Sequence, residues 1–289
     1  MKRYCLYLFI LIGISCSAEL KAQRNGTVYK GNDPAVRYTG RTLVSSDGSV
    51  AFDWVGTYLE TRFTGGRLSV KVSETGTSYY NVFVDGKLHK VVKVCGTDTL
   101  IHLVSGIDKR IHSLKIQKRS EGEFGKTTIH QFVLSGSGRL AEEPAVRTRH
   151  IEFIGNSLTC GYGTDGKHRD EPFLVETENC NLTFASMVAR YYDADYTLIA
   201  HSGRGAARNY GDSVRVSKVT MKDRMLNTFD EDLTHKWNFK GYLPDLVVIN
   251  LGSNDFSTEP HPYKSEFTKA YKQILETDKA SSSEDNKNE

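Results

Sequence analysis

The sequence predicts two domains in series, an antiparallel β-sandwich followed by an α/β domain built on a parallel sheet. From about Tyr38 to Leu134, short β-rich segments are separated by turn signals such as Asp85-Gly86, and helical periodicity is lacking. Beyond this region, continuous apolar strands alternate with helical segments, which is typical of a parallel sheet covered on both faces. The chain has 289 residues, 38% of them hydrophobic, which is enough apolar material for two cores.

The predicted elements follow from this change of pattern. We expect a hairpin at 80–88, where alternating apolar residues flank Asp85-Gly86. A small, polar and proline-containing connection at 135–144 separates the sandwich domain, placed at 27–140, from the α/β domain, placed at 148–289. The α/β domain is predicted to contain strands at 151–154, 196–200 and 246–251, a helix at 182–192 and a last helix that begins near Pro262.

The helix at 182–192 is predicted from apolar residues that share one helical face, namely Leu182, Ala185, Ala189 and Tyr192. The last helix has Tyr263, Phe267, Ala270, Tyr271, Ile274 and Leu275 at helical spacing. After it, the segment 279–289 is too polar to bury a face, and we expect it to be a disordered tail.

The amino terminus has the pattern of an export signal. Lys2 and Arg3 precede a short apolar run at 6–14, which is too short to span a bilayer as a helix. We therefore predict a signal peptide at 1–22, with secretion or export to the periplasm and no membrane insertion after the signal is removed. Cleavage after Ala18 or Ala22 fits the small-residue rule, and Cys16 leaves open an alternative as an outer-surface lipoprotein.

The nearly balanced charge of the chain argues against nucleic acid and anionic membranes as partners. Lysine plus arginine number 38 and aspartate plus glutamate 35, so neither nucleic acid nor an anionic membrane is expected as the main partner.

Three cysteines, Cys95, Cys160 and Cys180, remain when the signal peptide is removed. A Cys160–Cys180 disulfide and buried free thiols both fit this odd count. No cysteine and histidine spacing typical of a metal site is found, and no metal is expected.

Three predicted strands end in residues suited to acyl transfer. Ser157 follows the first strand of the α/β domain, the segment 201–205 (HSGRG) follows the second, and 252–255 (GSND) follows the third. Because open α/β sheets place ligands at the carboxyl ends of their strands, these residues are expected to converge. A serine hydroxyl beside a glycine N–H and an asparagine amide offers a nucleophile and donors for the oxyanion that forms in acyl transfer.

These blocks resemble the SGNH hydrolases, specifically the acetyl esterases of carbohydrate esterase family 2. The resemblance rests on 155–163 (GNSLTCGYG), 178–182 (ENCNL) and 203–212 (GRGAARNYGD), with 38–41 (YTGR) and 80–86 (YNVFVDG) in the first domain. It covers nearly all of the predicted mature chain. It implies a jelly-roll domain followed by a three-layer, flavodoxin-like SGNH domain.

The resemblance also implies roles for particular residues. Ser157 would be the nucleophile, and its own N–H, the Gly203 N–H and the Asn254 side chain would form the oxyanion hole, with Gly205 as the less favoured donor. The family more often has aspartate where Asn156 stands. Asparagine removes a charge next to the nucleophile, and we expect this difference to adjust the reactivity of Ser157 without changing the mechanism. No cofactor is implied.

The base is the part of the family pattern that this sequence lacks. The family carries a histidine, usually in Asp-x-x-His near the carboxyl terminus, and the only histidine after Asn254 is His261, without the aspartate. We interpret His261 as an exposed residue at a helix start, His201 as a residue that fixes its loop, and Asp255 as a loop stabiliser. The expectation is an α/β domain truncated before the histidine block, with its third strand left as an open edge.

The resemblance implies that the function is removal of O-acetyl groups from xylan-type or mannan-type polysaccharides or sugars. If the missing base abolishes turnover, the alternative is a non-catalytic glycan-binding protein. Tyr162, Tyr210 and Phe256 either line a sugar site or pack in the core. The sequence leaves the oligomeric state and the acetylated sugar open.

Overall fold

The computed structural model describes residues 26–142, 145–240 and 242–283, with side chains up to 277. The predicted signal peptide at 1–22, including Cys16, and the last residues of the predicted tail, 284–289, lie outside the described residues. The described chain forms an antiparallel sheet of seven strands followed by a parallel sheet of three strands.

The first sheet has two long strands that pair with each other and several short ones. The strands are β1 (Thr27–Lys30), β2 (Val36–Thr39), β3 (Leu43–Val44), β4 (Val50–Phe52), β5 (Tyr58–Val84), β6 (Lys87–Lys118) and β7 (Thr127–Ser135). The order β2-β5-β7-β4-β3 forms the main path, β1 pairs with β7, and β6 pairs with β5. Every pairing is antiparallel.

The long strands curl the sheet over its own core. Residues 80–84 of β5 pair with the start of β6 on one side and with 114–118, at the end of β6, on the other. Register shifts at several points along β5 accompany this bending, as expected for bulged strands. The enclosed core includes Phe63, Leu68, Val82 and Phe132, which are fully buried. The predicted antiparallel sandwich is confirmed, as one curled sheet.

The hairpin between β5 and β6 is confirmed at its predicted turn. Asp85 and Gly86 have φ values of 50° and 75°. Positive φ at both central residues is the geometry of a type I′ turn, for which Asp-Gly is a favoured pair.

The second sheet is parallel and places the strand that precedes Ser157 at its centre. Its strands are β8 (His150–Gly155), β9 (Asp195–Ala200) and β10 (Leu246–Ile249), in the order β10-β8-β9. Both pairings are parallel and run in register from residue to residue. The three predicted strands are confirmed, although β10 ends two residues earlier than predicted.

Helices and loops cover both faces of this sheet. The helices are α1 (Ser157–Cys160), α2 (Phe184–Tyr191), α3 (Met221–Arg224) and α4 (Lys264–Ser283). Ala185 and Ala189 of α2 pack on one face, and Met221 of α3 with Ile274 of α4 on the other. The three-layer arrangement is confirmed. None of the helices in the described residues combines the length and apolar character needed to cross a membrane.

Two predicted helices differ in extent from the observed ones. The helix predicted at 182–192 begins at Phe184, because Thr183 has an extended backbone and its hydroxyl donates to the Cys180 carbonyl oxygen. Leu182 and Tyr192 are therefore exposed and do not extend the buried face. At the other end of the domain, α4 continues to Ser283, into the predicted tail, since extending an existing helix costs far less than starting one.

Cys160 and Cys180 are buried free thiols, and Cys95 is an exposed one. Of the two alternatives, buried thiols are therefore found in place of a disulfide. Burial raises the pKa of Cys180 to about 12, so its sulfur stays protonated and behaves as a small core group.

The two sheets share one interface. Trp54 and Tyr58, which belong to the first domain, are fully buried against the parallel sheet. The Tyr58 hydroxyl donates to Asp195 at 2.6 Å, and Arg37 forms an ion pair with the same carboxylate at 2.7 Å. Arg41 is buried and donates to the carbonyl oxygens of Met225 and Asn227 in the second domain. The first domain thus supports the loops of the second.

Strand β10 gives a prediction about solubility. It is an edge strand of the described sheet, and Leu246 at its start is 52% exposed. Because an exposed apolar edge is a template for intermolecular pairing, Leu246→Lys should slow aggregation of the chain several-fold on heating, as followed by light scattering. Leu275→Lys, on the exposed side of α4, is the matched control and should have little effect. Equal slowing by both variants would contradict an edge-strand origin.

Candidate active site

Ser157 is the first residue of α1 and lies directly beyond the carboxyl end of the central strand β8. Asn156 is the helix N-cap, and its side-chain oxygen accepts from the Leu158 N–H at 3.2 Å. The turn is tight: a Cβ on Gly155 would lie 2.0 Å from the Thr159 hydroxyl oxygen, so only glycine fits there. Ser157 itself is half-buried. The predicted nucleophile is therefore held on a short, well-defined turn.

Hydrogen bonds join the loops at the three strand ends. The Asn156 side-chain amide donates to the Ser253 hydroxyl at 3.0 Å, which connects the loop after β8 to the loop after β10. The Asn254 side-chain amide donates to the Arg204 carbonyl oxygen at 2.8 Å, which connects the loop after β10 to the loop after β9. The convergence expected for Ser157, Gly203 and Asn254 is thus built by contacts among their own loops. An aspartate at position 156 could only accept a hydrogen bond from the Ser253 hydroxyl, whereas the Asn156 amide donates one to it.

The backbone around Gly203 leaves one donor available. Gly203 has φ +73°, and its carbonyl oxygen accepts from the Tyr210 N–H at 2.8 Å. Among the described residues its own N–H has no acceptor. The Gly205 N–H, in contrast, points to the Asn209 side-chain oxygen at 3.4 Å. Of the two glycines, Gly203 has the uncommitted N–H.

Asp255 holds the loop after β9 from inside the protein. Its buried carboxylate accepts three consecutive backbone N–H groups, those of Ala206, Ala207 and Arg208, at 2.7 to 3.0 Å. A Cβ on Gly205 would lie 2.4 Å from the same carboxylate, which explains the glycine. The interpretation of Asp255 as a loop stabiliser is confirmed.

His201 also stabilises the loop after β9. The side chain is buried, and Nδ1 lies 2.7 Å from a carboxylate oxygen of the buried Asp230. Nε2 is 3.6 Å from a carboxylate oxygen of Glu123. Burial by itself would lower the pKa of His201, but the hydrogen bond to Asp230 and its charge outweigh it, and the pKa is raised. The prediction that His201 fixes its loop is confirmed.

The histidines do not supply a base to Ser157 in this structure. All nine lie within the described residues, and none forms a hydrogen bond to the Ser157 hydroxyl. His261 precedes α4 by three residues, is 42% exposed at its side chain and lies 3.3 Å from Glu259. The interpretation of His261 as an exposed residue near a helix start is confirmed.

A pair of buried glutamates lies beneath the site and was missed by sequence reasoning. Glu121 comes from the first domain, and its carboxylate accepts from the Ser202 N–H, next to Gly203. The Glu121 N–H donates to Glu178 at 3.0 Å. Burial, and then the charge of Glu121, raises the pKa of Glu178 to about 11, so Glu178 keeps its proton. No pattern in the sequence relates two glutamates 57 residues apart in different domains.

Two groups of side chains bring potential metal-ligand atoms within 4.8 Å of one another in the described residues. One consists of Glu121, Glu178 and Cys160, and burial raises the pKa of the Cys160 thiol well above its usual value. The other is His201 with Asp230 and Glu231, where Arg224 already forms ion pairs with both carboxylates at 2.9 and 2.8 Å. Protons on Glu178 and Cys160 in the first group, and the Arg224 guanidinium in the second, offset the negative charge there.

The aromatic residues near the site are open to solvent. Tyr162, Tyr210 and Phe256 are 48%, 64% and 45% exposed, which excludes the core-packing alternative for them. Tyr162 stacks on Phe173 with ring centroids 3.7 Å apart, and its N–H donates to the Ser157 carbonyl oxygen at 3.2 Å. Tyr162 therefore adjoins the turn that carries Ser157, whereas the backbones of Tyr210 and Phe256 bond within the loops after β9 and β10.

The His201–Asp230 pair predicts how stability depends on pH. Because the folded-state pKa of His201 is raised above its ordinary 6.5, the stabilisation is complete below about pH 6.5 and is lost as the pH rises through the folded-state value. His201→Gln should lower the free energy of unfolding by about 1.5–3 kcal/mol at pH 6 and by clearly less at pH 9, measured by urea denaturation. A difference that grows with pH would contradict the assigned pair. His261→Gln, which alters an exposed histidine, is the control.

Comparison with known proteins agrees with this architecture. The family model for the carbohydrate esterase 2 N-terminal domain matches residues 38–144, and that for the GDSL-like lipase/acylhydrolase family matches 153–284. The cellulase/esterase CelE of Acetivibrio thermocellus is 34% identical over 244 residues, which are 84% of this chain. An acetylxylan esterase/glucomannan deacetylase of Cellvibrio japonicus is 33% identical over 226 residues, 76% of this chain. The chain spans 29% and 61% of the lengths of these two relatives.

Solved structures show the same pair of domains. A family two carbohydrate esterase from Clostridium thermocellum, in complex with cellohexaose, superposes with a TM-score of 0.80 and 34% identity, covering 85% of this chain and 74% of that one. A family two carbohydrate esterase from Cellvibrio japonicus gives a TM-score of 0.78 and 26% identity, covering 88% and 75%. With both domains matched in order and the strand-end residues in place, the chain belongs to the family 2 carbohydrate esterases.

Proposed function

We propose that the protein removes O-acetyl groups from polysaccharides or sugars, with Ser157 as the nucleophile. The Ser157 oxygen bonds to the acetyl carbonyl carbon, and the sugar leaves as an alcohol after it takes up a proton. Water then attacks the acetyl-enzyme and releases acetate, which restores Ser157. The Ser157 and Gly203 N–H groups and the Asn254 side-chain amide stabilise the oxyanion. No step in this scheme requires a cofactor.

The observation that carries the proposal is the hydrogen bonding among the three strand-end loops. Asn156 is bonded to Ser253, and Asn254 to the Arg204 carbonyl oxygen. A side-chain amide has two N–H bonds, so Asn254 retains one after its bond to Arg204. Donors that are held in place before the reaction stabilise a developing charge with little reorganisation. The uncommitted Gly203 N–H meets the same requirement.

The substrate class follows from the family and from the surface around Ser157. Relatives bear the names acetylxylan esterase and glucomannan deacetylase. We propose acetylated xylan or mannan chains as substrates, with the exposed rings of Tyr162, Tyr210 and Phe256 bordering the glycan. Such substrates lie outside the cell, which agrees with export by the predicted signal at 1–22, either free or as a lipoprotein through Cys16.

A second function is favoured by one observation, the lack of any histidine hydrogen-bonded to the Ser157 hydroxyl in a structure that describes all nine. A serine hydroxyl reacts slowly without a base to take its proton. A chain with the donors and rings in place and no base would bind glycans without turning them over. Turnover of an acetyl ester distinguishes this glycan-binding function from esterase activity.

Hydrolysis of 4-nitrophenyl acetate tests the nucleophile. We expect Ser157→Ala to abolish turnover above background and Asn254→Ala to lower kcat by about 10²–10³ with little change in KM, because one oxyanion donor is lost. Ser213→Ala, an exposed serine elsewhere in the chain, is the matched control and should retain full activity. Background turnover by the unaltered chain, together with binding of an acetylated xylo-oligosaccharide, would support the glycan-binding function and contradict the esterase.

The hydrogen bond from the Ser202 N–H to Glu121 of the first domain gives a separate prediction. Glu121→Ala leaves the Ser202 N–H without its acceptor, so the segment with Gly203 should loosen and kcat should fall by about tenfold or more, as one charge-assisted hydrogen bond is lost. KM should change little, since Glu121 is buried beneath the surface that meets the glycan. Glu121→Gln keeps an accepting oxygen and should recover part of kcat. Glu276→Gln, at an exposed position on α4, is the control. An equal loss in the Glu121→Gln and Glu121→Ala variants would argue against positioning through Ser202.

A further inference from the structure

A cavity of about 680 Å³ lies between the two domains, away from Ser157. Its walls come from β5, the end of β6, the segment at 145–147 that leads into β8, and residues 181 and 190 of the second domain. Arg147 in this wall bonds Asp195, the first residue of β9, at 2.8 Å. The cavity thus borders the amino ends of the parallel strands, whereas Ser157 follows a carboxyl end. It is separate from the candidate active site.

The cavity wall has an excess of positive charge. Its ionisable side chains are one carboxylate and four cations, namely Glu60 and the basic residues Arg62, Lys115, Arg147 and Arg190. The single carboxylate is already engaged, because Glu60 forms ion pairs with Arg37 and with Arg147. Arg147 also forms ion pairs with Asp193 and Asp195.

The other three cations form no ion pair with a carboxylate among the described residues. Arg190 donates to the neutral Asn181 side chain at 2.7 Å, and the Arg62 guanidinium forms no hydrogen bond or ion pair there. Lys115 is the most confined of the three. Its ammonium lies 3.6 Å from the centre of the Tyr58 ring and 5.0 Å from that of Tyr196.

The surroundings of Lys115 favour an incoming anion. Burial lowers the pKa of Lys115 to about 8; the charge of Glu60 opposes this effect, and the charge of Arg147 adds to it. The two tyrosine rings lie against the ammonium, and Lys115 also forms part of the cavity wall. A negative group in the cavity would offset the cost of burying this charge, and it would meet the unpaired Arg62 as well.

The remaining wall residues are suited to a sugar ring. Phe83 offers an aromatic surface, and Ser113 and Asn181 offer hydroxyl and amide groups. A volume of about 680 Å³ lies in the range of small-molecule sites and exceeds what an isolated acetate or sulfate would fill. Guanidinium and ammonium groups recognise carboxylates, which completes the requirements for an acidic sugar.

We propose that this cavity is a second glycan site, which binds the carboxylate of a uronic-acid residue through Lys115 and Arg62. The site would hold an acidic side group of a polysaccharide at the domain junction while the opposite edge of the parallel sheet faces the acetylated backbone. It does not depend on turnover at Ser157, so the proposal holds for an esterase and for a glycan-binding protein alike.

Isothermal titration calorimetry of the full chain at constant ionic strength tests this site. The ligands are methyl glucuronoside, the neutral methyl glucoside, sodium acetate and sodium sulfate. We expect the glucuronoside to bind about tenfold or more tightly than the other three, because only it offers both the charge and the ring. Binding of acetate or sulfate as tight as that of the glucuronoside would indicate a simple anion site and overturn the proposal.

Two variants assign the binding to this cavity. Lys115→Met keeps the bulk over Tyr58 without the charge, and Arg62→Gln removes a guanidinium that carries no packing contact with the rings. Each should weaken glucuronoside binding by about tenfold, the effect of one lost charge-assisted contact. Lys126→Met is the matched control, since the Lys126 ammonium lies over the ring of Phe229 at 4.8 Å in another part of the molecule. Unchanged affinity in folded Lys115→Met and Arg62→Gln variants, with unaltered thermal melts, would exclude this cavity as the site.

Discussion

The packing of the first domain against the loop after β9 is the constraint on which the rest of the structure depends. Glu121, which lies between β6 and β7, accepts from the Ser202 N–H, and Asp53 of the first domain accepts from the backbone N–H groups of Asp230 and Glu231. Asp230 in turn holds His201. A buried backbone donor without an acceptor costs about 1–3 kcal/mol, so the loop that carries Gly203 has its lowest free energy only when the first domain is in place.

This arrangement requires several carboxyl groups to be buried, and the protein limits the cost in two ways. Some carboxylates are met by fixed donors, as Asp255 is by three N–H groups and Asp195 by Arg37, Arg147 and Tyr58. Glu178 instead retains a proton beside Glu121, and burial, with the charge of Asp230, raises the pKa of Asp53 to about 7, so that Asp53 takes up a proton more readily than an exposed aspartate. Buried charge is thus concentrated at the domain junction, where both domains contribute ligands to it.

The same junction lies between two chemically different surfaces. At the carboxyl ends of the parallel strands, short loops present one hydroxyl, an uncommitted N–H and an amide, a neutral set of donors suited to a developing negative charge. At the amino ends, the two domains leave a cavity with cations in excess of carboxylates. A parallel sheet makes such a division possible because all of its strands end on the same side.

The sequence by itself determined the order of the domains, the parallel strands, the turn before Ser157 and the strand-end residues that converge with it. These features follow from patterns between near neighbours in the chain: alternation, apolar runs and the turn residues that bound them. Even so, the helix predicted to begin at Leu182 begins two residues later, at Phe184, and only the structure decided between the two alternatives for Tyr162 and Tyr210, which are exposed. Only the tertiary structure decided the partners of His201, the protonated Glu178 and the cavity around Lys115. Each of these depends on burial and on charges brought together from distant parts of the chain, which no local pattern records.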